Sequence, residues 1–485
     1  MTPEPSVTRG FLPSIIVAGM SLVLAVFFEY FVFGHELGIG FPLFVLLFLA
    51  GGFLLLRKRR YDPEILWVLV PLLFFSWMVF VRASELLTVL NILATFLLTL
   101  LLADLVTGKK LRSYVLGQYA DIIVLPLRFF APLAATLTDI ASLKGVHRHS
   151  AIVSQVVKGI VMAIPVLVVF AFLFYSADLL FAKYVSSILT LDLSEETIFL
   201  IVRLVIVTCA LIGGFAWILH AAERKAVVAS GKPPLTIGII EVSIFLGAIN
   251  VLFLAFILIQ LVYLFGGAEN ITSQGFTYAE YARKGFFELI IVAVFSFLIL
   301  WKIEQSILRK EAVRHSGIFK IFSGILVCEV LLIMASAFTR LSLYEDAYGF
   351  TTLRLYSHAF IILLSVIFLI LLYKIFVDAR EYTFAHRLFL AGCAFLVVMN
   401  LLNPDAFIAR QNIRHFADNP AKLDIYYLSM LSEDALPVTI DLLTSQDVSR
   451  IQYGRIYEWQ DKVGPWQSMN IARLRAKELL GTKQN

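Results

Sequence analysis

Charge is scarce in this sequence. Asp, Glu, Lys and Arg make up 15% of its 485 residues, against roughly a quarter in soluble domains. Cysteine is scarcer: Cys209, Cys328 and Cys393 all lie inside apolar runs. That excludes a disulfide framework and any cysteine-based metal spacing, and the three read as small buried side chains. Catalytic signatures are also missing. "HELG" at His35 lacks the second His of a zinc helix. His147 and His149 in "HRHS" have no Cys, Asp or Glu beside them and read as a solvated basic loop. Lys109 and Lys232 follow glycines but sit in no phosphate-cradling loop, and there is no nucleophile elbow. The sequence therefore predicts no catalytic residues, no metal and no cofactor.

What the chain has is apolar length. Hydrophobic residues reach 60% and the mean hydropathy is +0.87. They fall in blocks of about twenty, the length that spans about 30 Å of hydrocarbon as a helix. The fold class expected is all-α, a polytopic membrane protein. Eleven spans are predicted, at about 12–33, 39–56, 64–81, 86–107, 153–182, 198–220, 236–266, 285–303, 318–340, 352–377 and 384–402. The first residues, with Arg9 ahead of an overlong apolar run, predict no cleaved signal segment. Lys and Arg alternate between the connections. With the N-terminus inside, the inner segments hold 22 of them, including Arg57, Lys58, Arg59 and Arg60, while the outer loops hold six: Arg82, Lys183, Arg283, Lys284, Arg340 and Arg354. Cytoplasmic loops are the ones enriched in Lys and Arg, so the expected topology is N-in and C-out.

Two regions depart from this pattern. Residues 112–141 are apolar but carry Asp121, Pro126, Arg128 and Pro132. They read as an interfacial or re-entrant pair of short helices on the inner face, with two further spans as the rival reading. Residues 403–485 read as a separate, outward-facing helical domain, with ten basic residues against ten acidic ones. A neutral domain without a basic stripe argues against nucleic acid. Asn403-Pro404-Asp405 and Ser432-Glu433-Asp434 look like helix starts. "SMNIARLRAKELLG" looks like a capped helix ending at Gly481. Trp459 and Trp466 fit its core or the membrane interface.

Charges inside the membrane are costly and usually paired or functional. Glu329 is the deepest, with Arg203 or Arg340 as expected partners; Glu29 and Arg203 lie in outer halves of their spans. Lys158 and Glu241 sit near inner ends, where snorkelling accounts for them. In "TYAEYARKGFFEL", Glu280, Lys284 and Glu288 recur at helical spacing and can pair along one face, with Arg283 between them. Tyr278, Tyr281, Phe286 and Phe287 suit the outer interface. A second cluster, Arg340, Tyr344, Glu345, Asp346, Tyr348, Arg354 and His358, surrounds Gly349 on the same side. Together they predict an aromatic-lined polar pocket; the bland reading is an ion-pair network that locks helix ends. Arg410, in the first tail helix, is expected to reach Glu345 and Asp346, or else to pair with Asp405.

The stretches "YAEYARKGFFEL", "LYEDAYGFTTLRLY" and "NPDAFIARQNIRHF…LDIYYLSMLSEDALPV" resemble a family of bacterial polytopic membrane proteins known only as a domain of unknown function. The resemblance runs from the seventh span into the tail. It implies a bacterial cytoplasmic membrane and marks Glu280, Arg283, Glu288, Tyr344, Gly349, Arg354, Asn403, Pro404, Asp405, Arg410 and Asn412, but it supplies no activity. Three readings follow. One is a non-enzymatic envelope sensor or scaffold that binds an envelope protein or lipid at its outer face. The second is a transporter or lipid-handling protein with a path past Glu329. The third is an intramembrane transferase, disfavoured because no acceptor-activating His-acid pair is visible.

Overall fold

The computed structural model describes residues 11–56, 62–141, 195–221, 239–265, 286–306, 309–377, 380–442 and 465–484. Among the described residues every regular element is helical. In the first half these are α1 (Phe11–Phe31), α2 (Gly40–Leu55), α3 (Leu66–Val81), α4 (Glu85–Val106), α5 (Leu116–Ile123), α6 (Phe130–Ala141) and α7 (Glu195–Ala221). The second half holds α8 (Ile239–Phe265), α9 (Phe286–Ser306), α10 (Arg309–Tyr348), α11 (Thr352–Val377) and α12 (Glu381–Leu402). The tail adds α13 (Pro404–His415), α14 (Ile425–Met430), α15 (Leu436–Thr439) and α16 (Ile471–Gln484).

Among the described residues, eight helices are long and apolar enough to cross a membrane, or nine if the bent pair α5–α6 counts as one span. They correspond to eight of the eleven predicted spans. The predicted span 153–182 lies outside the described residues. α2 has only 16 residues, a rise of about 24 Å, short of the hydrocarbon thickness. α9 (Phe286–Ser306) stands at the predicted span 285–303 but is not one of the eight. Residues 112–141 form two short helices bent by 64°, as their prolines and charges predict.

Many large apolar side chains face outward, among them Val70, Leu127 and Val251 at 62–70% exposure. In water such a surface would be untenable; facing lipid tails it costs nothing. Inside, two cores form. The first gathers α1–α7 around Val68, Leu72, Leu87 and Phe215. The second gathers α8–α12 around Leu246, Leu326, Phe368 and Leu371. α12 joins them, giving Leu396 and Met399 to the first and Phe384 to the second.

α10 is longer than predicted. Its 40 residues rise about 60 Å, twice the hydrocarbon thickness, so it leaves the bilayer and carries Tyr344, Glu345 and Asp346 as part of the helix, not of a loop. It stops at Gly349, whose φ of +76° is the left-handed end that glycine permits.

The tail follows α12 without a linker. Asn403 has φ +53°, the one positive-φ residue other than glycine among those described, a conformation asparagine tolerates better than most residues. The expected cap is corrected here: the Asn403 side chain caps nothing and its Nδ2 donates instead to Asp434 Oδ1 at 3.5 Å. The last helix is also shifted. Asn470 caps it through Oδ1, which accepts from the Ala472 and Arg473 amides at 3.0 and 3.3 Å, and it runs past Gly481.

Candidate functional site

The tail is seated on the ends of the membrane helices by buried polar contacts. Asp434 makes the most of these, with 6% of its surface exposed. Its Oδ2 accepts from the backbone amides of Ala83 and Ser84 at 2.7 and 3.2 Å. These are orphan donors at the start of α4, where the helix dipole favours an anion. Arg82 pairs with the other oxygen at 3.4 Å and donates from Nε to the Asn400 carbonyl at 2.9 Å. Burial pushes the Asp434 carboxyl above its ordinary value, against the lowering effect of the Ala83 amide and Arg82. Beside it, buried Asp405 accepts from Ser432, whose hydroxyl therefore does not cap its own helix. Asn470 donates to the carbonyls of Val79 and Arg82 at 3.1 and 2.9 Å.

Two further connections are held the same way. The amide of Ile39 donates to the Met469 carbonyl at 2.8 Å, and Arg473 pairs with Glu36. Trp466 lies at 46% exposure against the rings of Tyr30 and Phe31 at the end of α1; it does not fill the tail's core. Trp459 lies outside the described residues. The loop between α10 and α11 is clasped by Asn412, whose Oδ1 accepts from the Phe350 amide at 2.6 Å while Nδ2 donates to the Phe350 carbonyl at 2.9 Å. His415 Nε2 donates to the Asp346 carbonyl at 2.8 Å, and the Thr352 amide donates to Tyr427 Oη at 2.8 Å.

The expected reach of Arg410 is corrected. It is exposed, and its Nε turns back to the Ala406 carbonyl at 3.3 Å. Asn412, two residues on and about 200° around the helix, faces the loop and does the joining. The rest of the cluster at Gly349 assembles in part. Arg354 donates to the Gly349 carbonyl and lies 4.0 Å above the Tyr344 ring. His358 Nδ1 is 3.2 Å from Glu345 Oε1, both buried. Arg340 is buried at 9%, while Asp346 and Tyr348 are exposed. Glu280 and Arg283 lie outside the described residues, and Glu288 stands in the first turn of α9.

Within the membrane helices, Arg203 forks onto Glu29, Nε to Oε2 at 3.1 Å with a second contact from Nη2 to Oε1, and lies 3.5 Å over the Phe33 ring. Glu329 is therefore not its partner, and Arg340, eleven residues along the same helix, is about 16 Å away. Glu329 is buried at 6% exposure and its Oε2 has no hydrogen-bond partner. Lys158 lies outside the described residues, and Glu241 is exposed in the first turn of α8. A fully buried amide pair, Asn91 with Asn400, exchanges hydrogen bonds of 2.9 and 2.8 Å just below the tail.

At the opposite end, Lys374 is buried to 2% between Glu304 at 2.7 Å and Glu381. Asp104 holds Lys109 at 2.8 Å and the hydroxyl of Tyr114 at 2.5 Å. Tyr114's phenol is pushed up by burial and by that carboxylate. Among the described residues no group of three or more His, Cys, Asp or Glu side chains is placed to hold a metal ion.

Sequence reasoning named Asp434 within a helix start and Asn412 by resemblance but found the partners of neither, and it passed over Lys374 and the Asn91–Asn400 pair, because each has a partner tens or hundreds of residues away. No curated protein matches the chain and no solved structure does. One family does match, over residues 69–442, from within α3 to just past α15 in the tail. The chain belongs to that family, described as Domain of unknown function (DUF4153).

Proposed function

We propose that this is a multi-pass protein of a bacterial cytoplasmic membrane, with eleven spans, N-in and C-out. We read it as a sensor or scaffold that recognises an envelope protein or a lipid at its outer face. The reading is supported by one observation above all. The tail is fixed to three helix connections, α3–α4 through Asp434 and Asn470, α1–α2 through Met469 and Arg473, and α10–α11 through Asn412, yet it leaves Tyr426 and Met430 exposed at 70% and 62%. These two lie one turn apart on α14, so a rigid platform carries an unpaired apolar face, the usual mark of an interaction surface. The tail touches the α1–α2, α3–α4 and α10–α11 connections together, which fits an odd-numbered path ending on the side opposite the basic loops.

The unpaired Oε2 of buried Glu329 favours the second reading, a transport or lipid-handling path. A two-part experiment separates them. Alkaline phosphatase fused after Asn485 is expected to be active, and fused after Arg314 inactive. A photo-crosslinking amino acid at Tyr426 or Met430 in living cells is expected to give a discrete adduct with a protein or lipid. Reversed reporter activity ends the orientation argument, and the absence of any adduct from either position ends the recognition reading.

A further inference from the structure

The turn at Gly349 folds α11 back on α10, and three side chains meet there. Ser342 Oγ lies 3.2 Å from His358 Nε2, and His358 Nδ1 lies 3.2 Å from Glu345 Oε1. The imidazole is thus held with the Ser342 hydroxyl and the Phe338 carbonyl, at 3.2 and 3.3 Å, on Nε2 and a carboxylate on Nδ1. A third group, Phe338, fixes the ring: its own ring stands edge-on at 4.2 Å. Nucleophile, base and orienting acid in this order define an activated serine by geometry and not by sequence position. Ser342 has no motif around it, and it neighbours His358 only through the fold.

We infer that Ser342, His358 and Glu345 form an acyl-transfer site at the tail end of the membrane helices, taking a carboxylic ester with an apolar acyl group. Glu345 and His358 are buried at 4% and 8%, whereas Ser342 is only partly buried. Phe338 and Leu343, exposed at 36% and 37%, flank Ser342 on α10. An apolar chain can therefore lie against the helix while its ester carbonyl meets the hydroxyl. With Nδ1–H donated to the Glu345 carboxylate, Nε2 is the nitrogen that faces Ser342, and for its lone pair to take the Ser342 proton the ring turns from the Phe338 carbonyl, 3.3 Å away, toward Oγ. Positive charge at this end comes from Arg354, one turn before His358 on the same helix.

The chemistry closes without a co-reactant beyond water or an acceptor alcohol. Ser342 Oγ bonds to the carbonyl carbon as its proton passes to His358 Nε2. The tetrahedral intermediate collapses, the ester C–O bond breaks, and His358 returns the proton to the departing oxygen. Water or an acceptor hydroxyl, deprotonated by His358 in turn, then attacks the acyl-Ser342 ester, and Ser342 leaves with that proton. Glu345 is a positioning residue that touches only His358.

The alternative is structural: Ser342 Oγ also lies 3.1 Å from the Phe338 carbonyl one turn back, so the hydroxyl can be an ordinary helix bond and His358–Glu345 a helix lock. A fluorophosphonate probe distinguishes the two. Full-length protein in detergent is labelled, and the modified residue is found by mass spectrometry, with the thermal midpoint of each variant recorded. The expected result is an adduct on Ser342, lost in Ser342→Ala, which deletes one partly exposed atom. His358→Gln is expected to slow labelling by about 10²-fold, the scale of a general base. Glu345→Gln is expected to slow it by roughly tenfold, with Glu345→Asp restoring part of the rate, which a purely structural lock would not do. If His358→Gln fails to fold, prior acylation of wild-type histidines by diethyl pyrocarbonate replaces it and must abolish labelling. An unlabelled Ser342 in folded protein, or labelling indifferent to His358, overturns the inference. The outcome does not depend on the tail's recognition surface, since Tyr426 and Met430 take no part.

Discussion

Replacing Gly349 with alanine tests how the tail is held. Two penalties follow from the geometry. The first is conformational: φ is +76°, and an L-residue there costs about 1–2 kcal/mol. The second is steric. A Cβ at Gly349 would stand 2.6 Å from Asn412 Oδ1, so Asn412 must retreat and give up its paired bonds to Phe350. Those bonds are worth about 0.5–1.5 kcal/mol each. Gly349→Ala should therefore cost about 2–5 kcal/mol in all. In an Asn412→Ala background the obstructing oxygen is gone, and the same glycine change should cost the conformational part and a small shift of Phe416, whose Cε2 would stand 3.1 Å from the new Cβ. The two mutations are then coupled by about 1–3 kcal/mol. The assay is denaturant unfolding in detergent, followed by protease release of the tail. Costs that add to within about 0.5 kcal/mol, the tolerance expected of independent sites, would refute the clasp.

Two other outcomes follow from the buried charges. Asp434→Ala strands the Ala83 and Ser84 amides and Arg82, and should cost about 3–5 kcal/mol by the same assay, since each buried unsatisfied group costs about 1–3 kcal/mol; a loss below about 1 kcal/mol contradicts the role given to Asp434. Glu329→Gln keeps shape and removes a charge for which the described residues provide no cation, so monodisperse yield should hold. Arg203→Gln, which leaves Glu29 alone in the membrane, should lower that yield, and equal yields for the two would count against the pairing of Arg203 with Glu29.

The sequence by itself determined the solvent of this protein. A chain with 60% apolar residues in blocks of about twenty has to sit in lipid as helices, because no other open structure satisfies its backbone there. It also announced the break at residues 112–141, since Pro126, Pro132, Asp121 and Arg128 make a straight span costly. The nearness of Glu345, Gly349 and His358 was readable as a cluster, because they lie within one hairpin; the burial of Glu345 and His358 was not. Glu329 was readable as a deep charge, but its lack of Arg203 was not: which cation reaches which acid depends on whether α7 packs beside α1 or α10. The same limit hid Asp434, whose donors are Ala83 and Ser84, some 350 positions earlier. Arg410 and Asn412 show it at the smallest scale. Both are polar residues in one turn of α13, and the helix rotation that turns Asn412 toward Phe350 and Arg410 toward solvent is set by where α12 ends and how the tail packs. Hydropathy acts along the chain and is local, so it survives in sequence. Polar pairing acts across it, and only the packed helices bring the partners within reach.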